Sequence, residues 1–194
     1  MAINLQKGQR VSLDSSMKHA LVGLGWDTNR YDGGQDFDLD ASAFLLGANG
    51  KLLRDEDFIF YNNLESRNKA VVHTGDNLTG DGEGDDEVIL IDFSKMPSDV
   101  EKIAICVTIH DAETRRQNFG QVSNAYIRIA KLADEFDTVG EPVLKFDLEE
   151  EFSIETALVV AEIYKKNGEW KFNAVAAGYQ GGLEAIIRSF GGNV

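Results

Sequence analysis

The sequence contains little of what builds disulfide-linked, zinc-binding or membrane-spanning proteins. Its 194 residues include one cysteine and three histidines, which excludes a disulfide framework and a cysteine-based metal site. Cys106 lies in the apolar run "IAICVTIH", which indicates a core residue. No apolar run reaches the roughly 18 residues of a transmembrane helix, and the start "MAINLQKGQR" lacks the apolar stretch of a signal peptide. We therefore expect a cytoplasmic protein without a transmembrane segment.

Positive charge is also scarce. The chain has 19 Lys and Arg against 33 Asp and Glu, a net charge of −14. Nucleic acid is therefore excluded as a direct partner, because phosphate backbones need a basic face. Binding to an anionic membrane would need a divalent cation as a bridge. With 43% apolar residues, no Pro/Ser-rich linker and no internal repeat, residues 1–194 are predicted to form one domain.

Short apolar stretches with alternating polarity dominate the pattern and predict β-strands. They are "HALVGLGW", "DFDLDASAFLL", "DFIFYN", "KAVVHT", "EVILIDF", "KIAICVTIH", "NAYIRIAKL", "PVLKFDLE", "ALVVAEIYKK" and "WKFNAVAAGY". Asn167-Gly168 in "KKNGEW" predicts a type I′ turn between two of them. A helical apolar stripe occurs in "GLEAIIRSF" near the C-terminus. The predicted fold is all-β, an antiparallel β-sandwich of two sheets with a short C-terminal helix.

The stretch "HTGDNLTGDGEGDDE", residues 73–87, is the most unusual part of the chain. It contains six carboxylates between Asp76 and Glu87, with glycines among them. In an extended chain, acids at every second position from Asp81 place their side chains on one side, and the glycines let the backbone curl. Calcium requires six to eight converging oxygens, whereas zinc prefers His or Cys and magnesium retains water. The stretch therefore favours calcium.

An EF-hand does not explain this stretch, although its length from Asp76 to Glu87 fits. The third and fifth positions of such a loop would be Leu78 and Gly80, where acidic or amide ligands belong. The predicted strands on both sides also replace the helices of an EF-hand.

A second acidic group precedes and opens one predicted strand. Its members are Asp27, Asp32, Asp36, Asp38 and Asp40. The last three alternate with Phe37 and Leu39, so a solvated polar strand face is one interpretation. Three aspartates along one edge repel one another and form strands poorly, which favours a metal instead. We expect both acidic stretches to form one bipartite site.

Several motifs resemble the tellurium-resistance TerD family of calcium-binding stress proteins. They are "GWD", "GGQDFDLDASAFLL", "FIFYNNLES", "AVVHTGDNLTGDGEGDDE" and "NGEWKFNAVAAGYQGGL". The resemblance implies a calcium-binding β-sandwich encoded in bacterial operons for tellurite resistance, with phage and colicin tolerance in some systems. It implies a non-enzymatic scaffold that works with other proteins of the operon at the inner membrane surface.

The candidate ligands, with two calcium ions expected, come from both stretches. They are Asp27, Asp36, Asp38, Asp76, Asn77, Gly80, Asp81, Glu83, Asp85, Asp86 and Glu87. Two other functions stay open beside the scaffold. A C2-like domain would bind membranes through calcium and an exposed apolar loop tip such as Leu78. A divalent-metal hydrolase would need metal ligands that are rich in His or of mixed type, with one position open for water. The sequence carries no such pattern, so no catalytic residue is predicted.

Overall fold

Twelve β-strands and two short helices make up most of the regular structure in the described part of the chain. The computed structural model of the chain describes residues 2–28, 35–75, 77–80, 84–148 and 154–193. The strands are β1 (Ile3–Asn4), β2 (Arg10–Ser12), β3 (His19–Gly25), β4 (Leu39–Leu46), β5 (Phe58–Ile59), β6 (Val71–His73), β7 (Glu87–Asp92), β8 (Lys102–Ile109), β9 (Tyr126–Leu132), β10 (Glu141–Asp147), β11 (Ala157–Lys166) and β12 (Glu169–Tyr179). The α-helices are α1 (Ala112–Arg115) and α2 (Gly182–Ser189), and single 3-10 turns cover Asp55–Asp57, Arg67–Lys69 and Phe119–Gln121.

The strands form two six-stranded sheets that pack face to face. Sheet A has the order β1-β10-β9-β3-β7-β6 and sheet B the order β2-β12-β11-β8-β4-β5. Neighbouring strands are antiparallel except β1 and β10, which pair in parallel. The edge strands have only two or three residues, which leaves little edge for pairing with another chain. The predicted two-sheet β-sandwich is confirmed.

Alternation decides which side chains enter the core between the sheets. In β3, Ala20, Val22 and Leu24 belong to this core, whereas Leu21 lies on the outer face of sheet A. The outer face of sheet B is covered by α2, whose Ile186 packs in one cluster with Phe44. Strand β4 is therefore buried on both faces.

Most predicted elements agree with the structure, but one predicted strand begins later in the chain and two strands were missed. Asn167 and Gly168 have φ angles of 56° and 80°, as the predicted type I′ turn requires, and the predicted C-terminal helix corresponds to α2. The strand predicted from residue 36 begins at Leu39, so Asp36 and Asp38 precede it. Strands β1 and β2 were not predicted, since two or three residues carry no readable alternation. Within the described ranges, neither helix is long and apolar enough to cross a membrane.

Candidate metal centre at one end of the sandwich

Both acidic stretches lie at the same end of the sandwich. Leu24 near the end of β3 pairs with Glu87 at the start of β7. Leu39 at the start of β4 pairs with Ile109 at the end of β8. The connections from β3 to β4, from β6 to β7 and from β8 to β9 are therefore gathered at this end.

Trp26 joins the two stretches. Its buried indole Nε1 donates a hydrogen bond to the carbonyl oxygen of Phe37 at 3.1 Å. Gly80 lies against the same ring with a φ of +71°, and a Cβ at this position would be 2.5 Å from Nε1. The backbone N–H of Trp26 donates to Oδ2 of Asp86 at 2.9 Å. One tryptophan thus contacts the acidic loop on one side and the start of the Asp36–Asp40 stretch on the other.

Asn77 fixes the turn that brings the loop to Trp26. Its Oδ1 accepts hydrogen bonds from the backbone N–H groups of Thr79 and Gly80, at 3.2 and 3.1 Å. Its Nδ2 donates to Oδ1 of Asp86 at 3.2 Å. The side chain therefore organises the loop backbone, a role that the sequence prediction of a metal ligand did not foresee.

Glu87 links the two sheets inside the sandwich. Its Oε2 accepts a 2.6 Å hydrogen bond from the backbone N–H of Ala41 in β4. The neighbouring strand β5 pairs only with Ala43 and Phe44 and is too short to pair with Ala41. Its Oε1 accepts from the N–H of Asn77 at 3.4 Å, and His73 Nε2 lies 3.4 Å from Oε2. Since this carboxylate is 1% exposed, its protein partners compensate its burial.

Asp85 lies on the opposite side of sheet A, on its outer face. Arg128 Nε is 2.8 Å from both carboxylate oxygens and Nη2 is 2.6 Å from Oδ2. Tyr126 donates its hydroxyl to Asp85 Oδ1 at 3.2 Å and to the carbonyl of Gly84 at 2.9 Å. Glycine is needed below these groups, because a Cβ at position 23 would overlap the Asp85 carboxylate and one at position 25 would lie 2.6 Å from the Tyr126 ring.

Burial and the ion pair between Asp85 and Arg128 together set the electrostatics of this group. Burial raises the pKa of Tyr126 to about 12, and the neighbouring Asp85 carboxylate acts in the same direction. The hydrogen bond from Arg128 to Asp85 raises the pKa of the guanidinium. Tyr126 is therefore a neutral donor and Arg128 a cation at physiological pH.

In the acidic group that precedes and opens β4, Asp38 and Asp40 do not lie on a solvated face. Asp38 and Asp40 are 4% and 5% exposed, because the segment after β8 covers them. Arg115 Nη2 lies 3.5 Å from Asp38 Oδ2, and His110 Nδ1 lies 3.7 Å from Asp40 Oδ2. The interpretation of these two aspartates as a solvated polar strand face is therefore wrong.

Asp27 and Asp36 lie closer to solvent than Asp38 and Asp40. Asp36 is exposed, and its backbone carbonyl accepts hydrogen bonds from Arg115 and Gln117. Asp27 follows Trp26 directly, and its Oδ2 accepts a 2.7 Å hydrogen bond from Asn124.

The predicted ligands are thus only partly brought together. The carboxylates of the consecutive residues Asp85, Asp86 and Glu87 point to the outer face of sheet A, to Trp26 and to the space between the sheets. Within the described part of the chain, no three His, Cys, Asp or Glu side chains are grouped as a metal site. The candidates Asp76, Asp81 and Glu83, like Asp32, lie outside the described residues.

Trp26, Arg115, Tyr126 and Arg128 were not among the predicted site residues. The pair Arg115-Arg116 is a basic cluster visible in the sequence, but its contact with Asp38 depends on the fold. The signal for Arg128 is weaker still, since it is one polar residue on the outer face of a predicted strand.

Fold and site together define a class of protein: a two-sheet β-sandwich with a glycine-rich acidic loop seated on a buried tryptophan. The family model described as the TerD domain matches residues 1–190. The chain belongs to the TerD family. A tellurium resistance protein TerD from Serratia marcescens is 55% identical over 196 residues, covering 100% of this chain and 99% of that protein. General stress protein 16U from Bacillus subtilis (strain 168) is 54% identical over 194 residues, 98% of each chain.

A solved structure supports the fold independently. The crystal structure of a homologue of the telluride resistance protein TerD from Streptomyces coelicolor A3(2) superposes with a TM-score of 0.71 at 20% identity. The superposition covers 88% of this chain and 95% of the Streptomyces chain. At this identity the likeness shows the shared fold alone.

Proposed function

We propose that this chain is a calcium-binding stress-response protein that contributes to tellurite resistance as a non-enzymatic binding module in the cytoplasm. The observation that carries the proposal is the meeting of two acidic stretches at Trp26, although some forty residues separate them in the chain. The names of the relatives in Serratia and Bacillus support the stress and resistance role.

The donor chemistry at this end of the sandwich fits calcium. Carboxylate, amide and backbone carbonyl oxygens dominate. Two imidazoles lie nearby: His73 faces Glu87 and accepts a hydrogen bond from the backbone N–H of Gly75, and His110 faces Asp40. Hard oxygen donors of this kind suit calcium and not zinc. When bound, calcium would supply positive charge that neutralises the loop.

We assign different roles to the predicted ligands. Asp38, Asp85 and Glu87 each contact a cationic side chain or a backbone N–H, and they position the backbone around the site. The proposed ligands, with two ions as the working stoichiometry, are Asp27, Asp36, Asp76, Asn77, Gly80, Asp81, Glu83 and Asp86. Asp86 would combine both roles, because it also holds Trp26 and Asn77.

Calcium titration tests the binding. If calcium binds only the folded state, an excess of about 100 times its dissociation constant adds roughly 2.7 kcal/mol to the free energy of unfolding. We expect a higher melting temperature in millimolar calcium than in chelator, with a smaller effect of magnesium. Equal melting temperatures in calcium and in chelator would contradict the proposal.

A charge-matched pair of variants localises the site. Asp81→Asn should weaken calcium binding in titration calorimetry, whereas Glu169→Gln removes the same charge from an exposed position in β12 and should leave affinity unchanged. Equal effects of both variants would mean that calcium responds only to net charge.

Resistance is tested in cells that lack the chromosomal copy. Wild type should restore growth on tellurite and Asp81→Asn should not, while both accumulate as folded protein. Purified protein alone should not reduce tellurite, since we propose no catalytic role. The partners would be other proteins of the resistance operon, at the inner membrane surface.

One observation favours a second function, a calcium-dependent membrane-binding domain of the C2 kind. Leu78 projects from the acidic loop with 59% of its surface exposed and would insert between lipids beside a bound cation. Liposome sedimentation separates the two functions. Calcium-dependent pelleting that Leu78→Ser abolishes would support membrane binding, and absence of pelleting would exclude it.

A further inference from the structure

The connection between β9 and β10, residues 133–140, presents two large apolar side chains to solvent. Phe136 is 83% exposed and Val139 is 71% exposed, more than any other large hydrophobic residue in the described ranges. A scattered exposed aliphatic residue is ordinary. Two exposed apolar side chains in one short loop, one of them aromatic, indicate a binding surface, because aromatic side chains are common anchors of protein interfaces.

Two aspartates hold this loop in its shape. Asp137 accepts three backbone hydrogen bonds of 3.0 Å, from Ala133, Val139 and Gly140. Asp134 Oδ1 accepts the N–H groups of Phe136 and Asp137 at 2.9 and 3.1 Å. The apolar side chains are thus displayed on a braced backbone, which lowers the conformational entropy that a partner must remove.

The loop also lies against the outer face of sheet A. A Cβ on Gly140 would be 2.8 Å from the Cβ of Ala130. Arg128 Nη1 lies 3.5 Å from the carbonyl oxygen of Val139. Val88 and Leu90, both partly exposed, pack on this face with Ala130. No helix covers this face in the described part of the chain, unlike the outer face of sheet B.

The charges around the loop select the kind of partner. The stretch from Asp134 to Glu141 contains four acids and no lysine or arginine. Lys95 lies 3.4 Å from Glu135 and offsets one of them. A second copy of a chain with net charge −14 would be repelled, and so would an anionic lipid surface.

We propose that Phe136 and Val139 form a docking surface for a partner protein with an apolar pocket rimmed by lysine or arginine. Phe136 is the anchor that enters the pocket, and the negative charge of the loop attracts the basic rim. This interaction needs no bound calcium, since the loop is already ordered by its own hydrogen bonds.

The test begins with a photo-reactive phenylalanine analogue at position 136 of the full chain in its host cells. The matched control carries the analogue at Ile154, which is 60% exposed on another connection. The protein cross-linked at 136 and not at 154 is identified by mass spectrometry and purified. Its dissociation constant is then measured for wild type, Phe136→Ser, Val139→Ser and Ile154→Ser.

We expect Phe136→Ser to weaken binding by at least about tenfold, with Ile154→Ser within about twofold of wild type. Binding should also weaken as sodium chloride rises, because the rim contacts are charged. Phe136→Ser should melt like wild type, so that lost binding reports the surface and not folding.

Several outcomes would overturn the proposal. They are no adduct at position 136 above the control, binding unchanged by Phe136→Ser, and affinity independent of salt. An adduct to a second copy of this chain would assign the surface to self-association. Phe136-dependent sedimentation with vesicles of phosphatidylcholine and phosphatidylglycerol, without a protein partner, would assign it to membranes.

Discussion

Replacing Arg128 with methionine tests how the acidic loop is held on sheet A. Methionine keeps most of the aliphatic packing of arginine and removes the charge. The Asp85 side chain is 5% exposed and Arg128 is 22% exposed, so the variant leaves a nearly buried carboxylate without its cation. Removing one partner of a fully buried pair costs about 3–5 kcal/mol. Because water can enter where the guanidinium was, we expect about 2–3 kcal/mol.

The converse variant should cost less. In Asp85→Asn the guanidinium of Arg128 can turn toward solvent, and the loss approaches that of a hydrogen bond, about 1 kcal/mol. The double variant should resemble Asp85→Asn alone, because the stranded carboxylate is gone. The double-mutant cycle should therefore give a coupling energy of about 2–3 kcal/mol.

Urea unfolding in chelator measures these free energies without any contribution from calcium. For a chain of this length, 2–3 kcal/mol corresponds to a fall in melting temperature of about 4–12 °C. Strict additivity of the two substitutions would refute the reasoning. So would an Arg128→Met variant as stable as wild type, since the carboxylate would then not depend on its cation.

Three further predictions concern the acidic loop, the connection between β9 and β10, and the buried thiol of Cys106. Gly80→Ala should destabilise the apo protein by about 1–3 kcal/mol, because its Cβ would overlap Trp26, whereas Gly84→Ala shares a positive φ but meets open space. Backbone hydrogen bonds lower the pKa of Asp137. The hydrogen bonds that its carboxylate accepts should therefore be fully formed above about pH 4 and lost as the pH falls through the lowered pKa. Amide exchange of residues 133–140 measures this loss. Burial raises the pKa of Cys106 well above its usual range, so iodoacetamide should label it only after unfolding.

Each of these has an outcome that contradicts it. Equal loss of stability in both glycine variants would mean that strained backbone, and not the contact with Trp26, limits position 80. If Asp137→Asn leaves amide exchange in residues 133–140 unchanged, the Asp137 carboxylate does not hold the loop in its shape. Rapid labelling of Cys106 in the native protein would mean that the strand opens locally.

The longer strands were readable from sequence because alternation and turn chemistry are local signals. Asn167-Gly168 fixed the hairpin between β11 and β12 without reference to the rest of the chain. The directions of Asp85, Asp86 and Glu87 were not readable in this way. Each depends on a distant group: an arginine on β9, the backbone of Trp26, or the backbone of Ala41 in the other sheet.

The sequence also suggested that calcium compensates the charge of the clustered acids. In the structure, backbone N–H groups and two arginines already compensate several acids, as with Glu87 and Ala41. We therefore propose a positioning role for Asp38, Asp85 and Glu87, and both roles for Asp86. The packing of Gly80 on Trp26 escaped prediction for a related reason, since a glycine shows no partner in sequence.

Trp26→Phe provides the sharpest test of whether the two acidic stretches share a site. Phenylalanine keeps an aromatic ring against Gly80 but removes the Nε1–H that donates to Phe37. The carbonyl of Phe37 then loses that donor, at a cost of about 1–3 kcal/mol. Trp170→Phe is the matched control, because Trp170 packs near Phe93 and Lys165, away from both acidic stretches.

The two variants separate stability from calcium binding. We expect both to lower the melting temperature in chelator. Only Trp26→Phe should also weaken calcium binding, because calcium would then have to restore the position of Asp36 relative to the loop. If holding the stretches together contributes about 1.4 kcal/mol to binding, affinity falls about tenfold. An unchanged affinity in Trp26→Phe, with the loss of stability present, would mean that the loop binds calcium without the Asp36–Asp40 stretch. The contact through Trp26 would then serve folding alone.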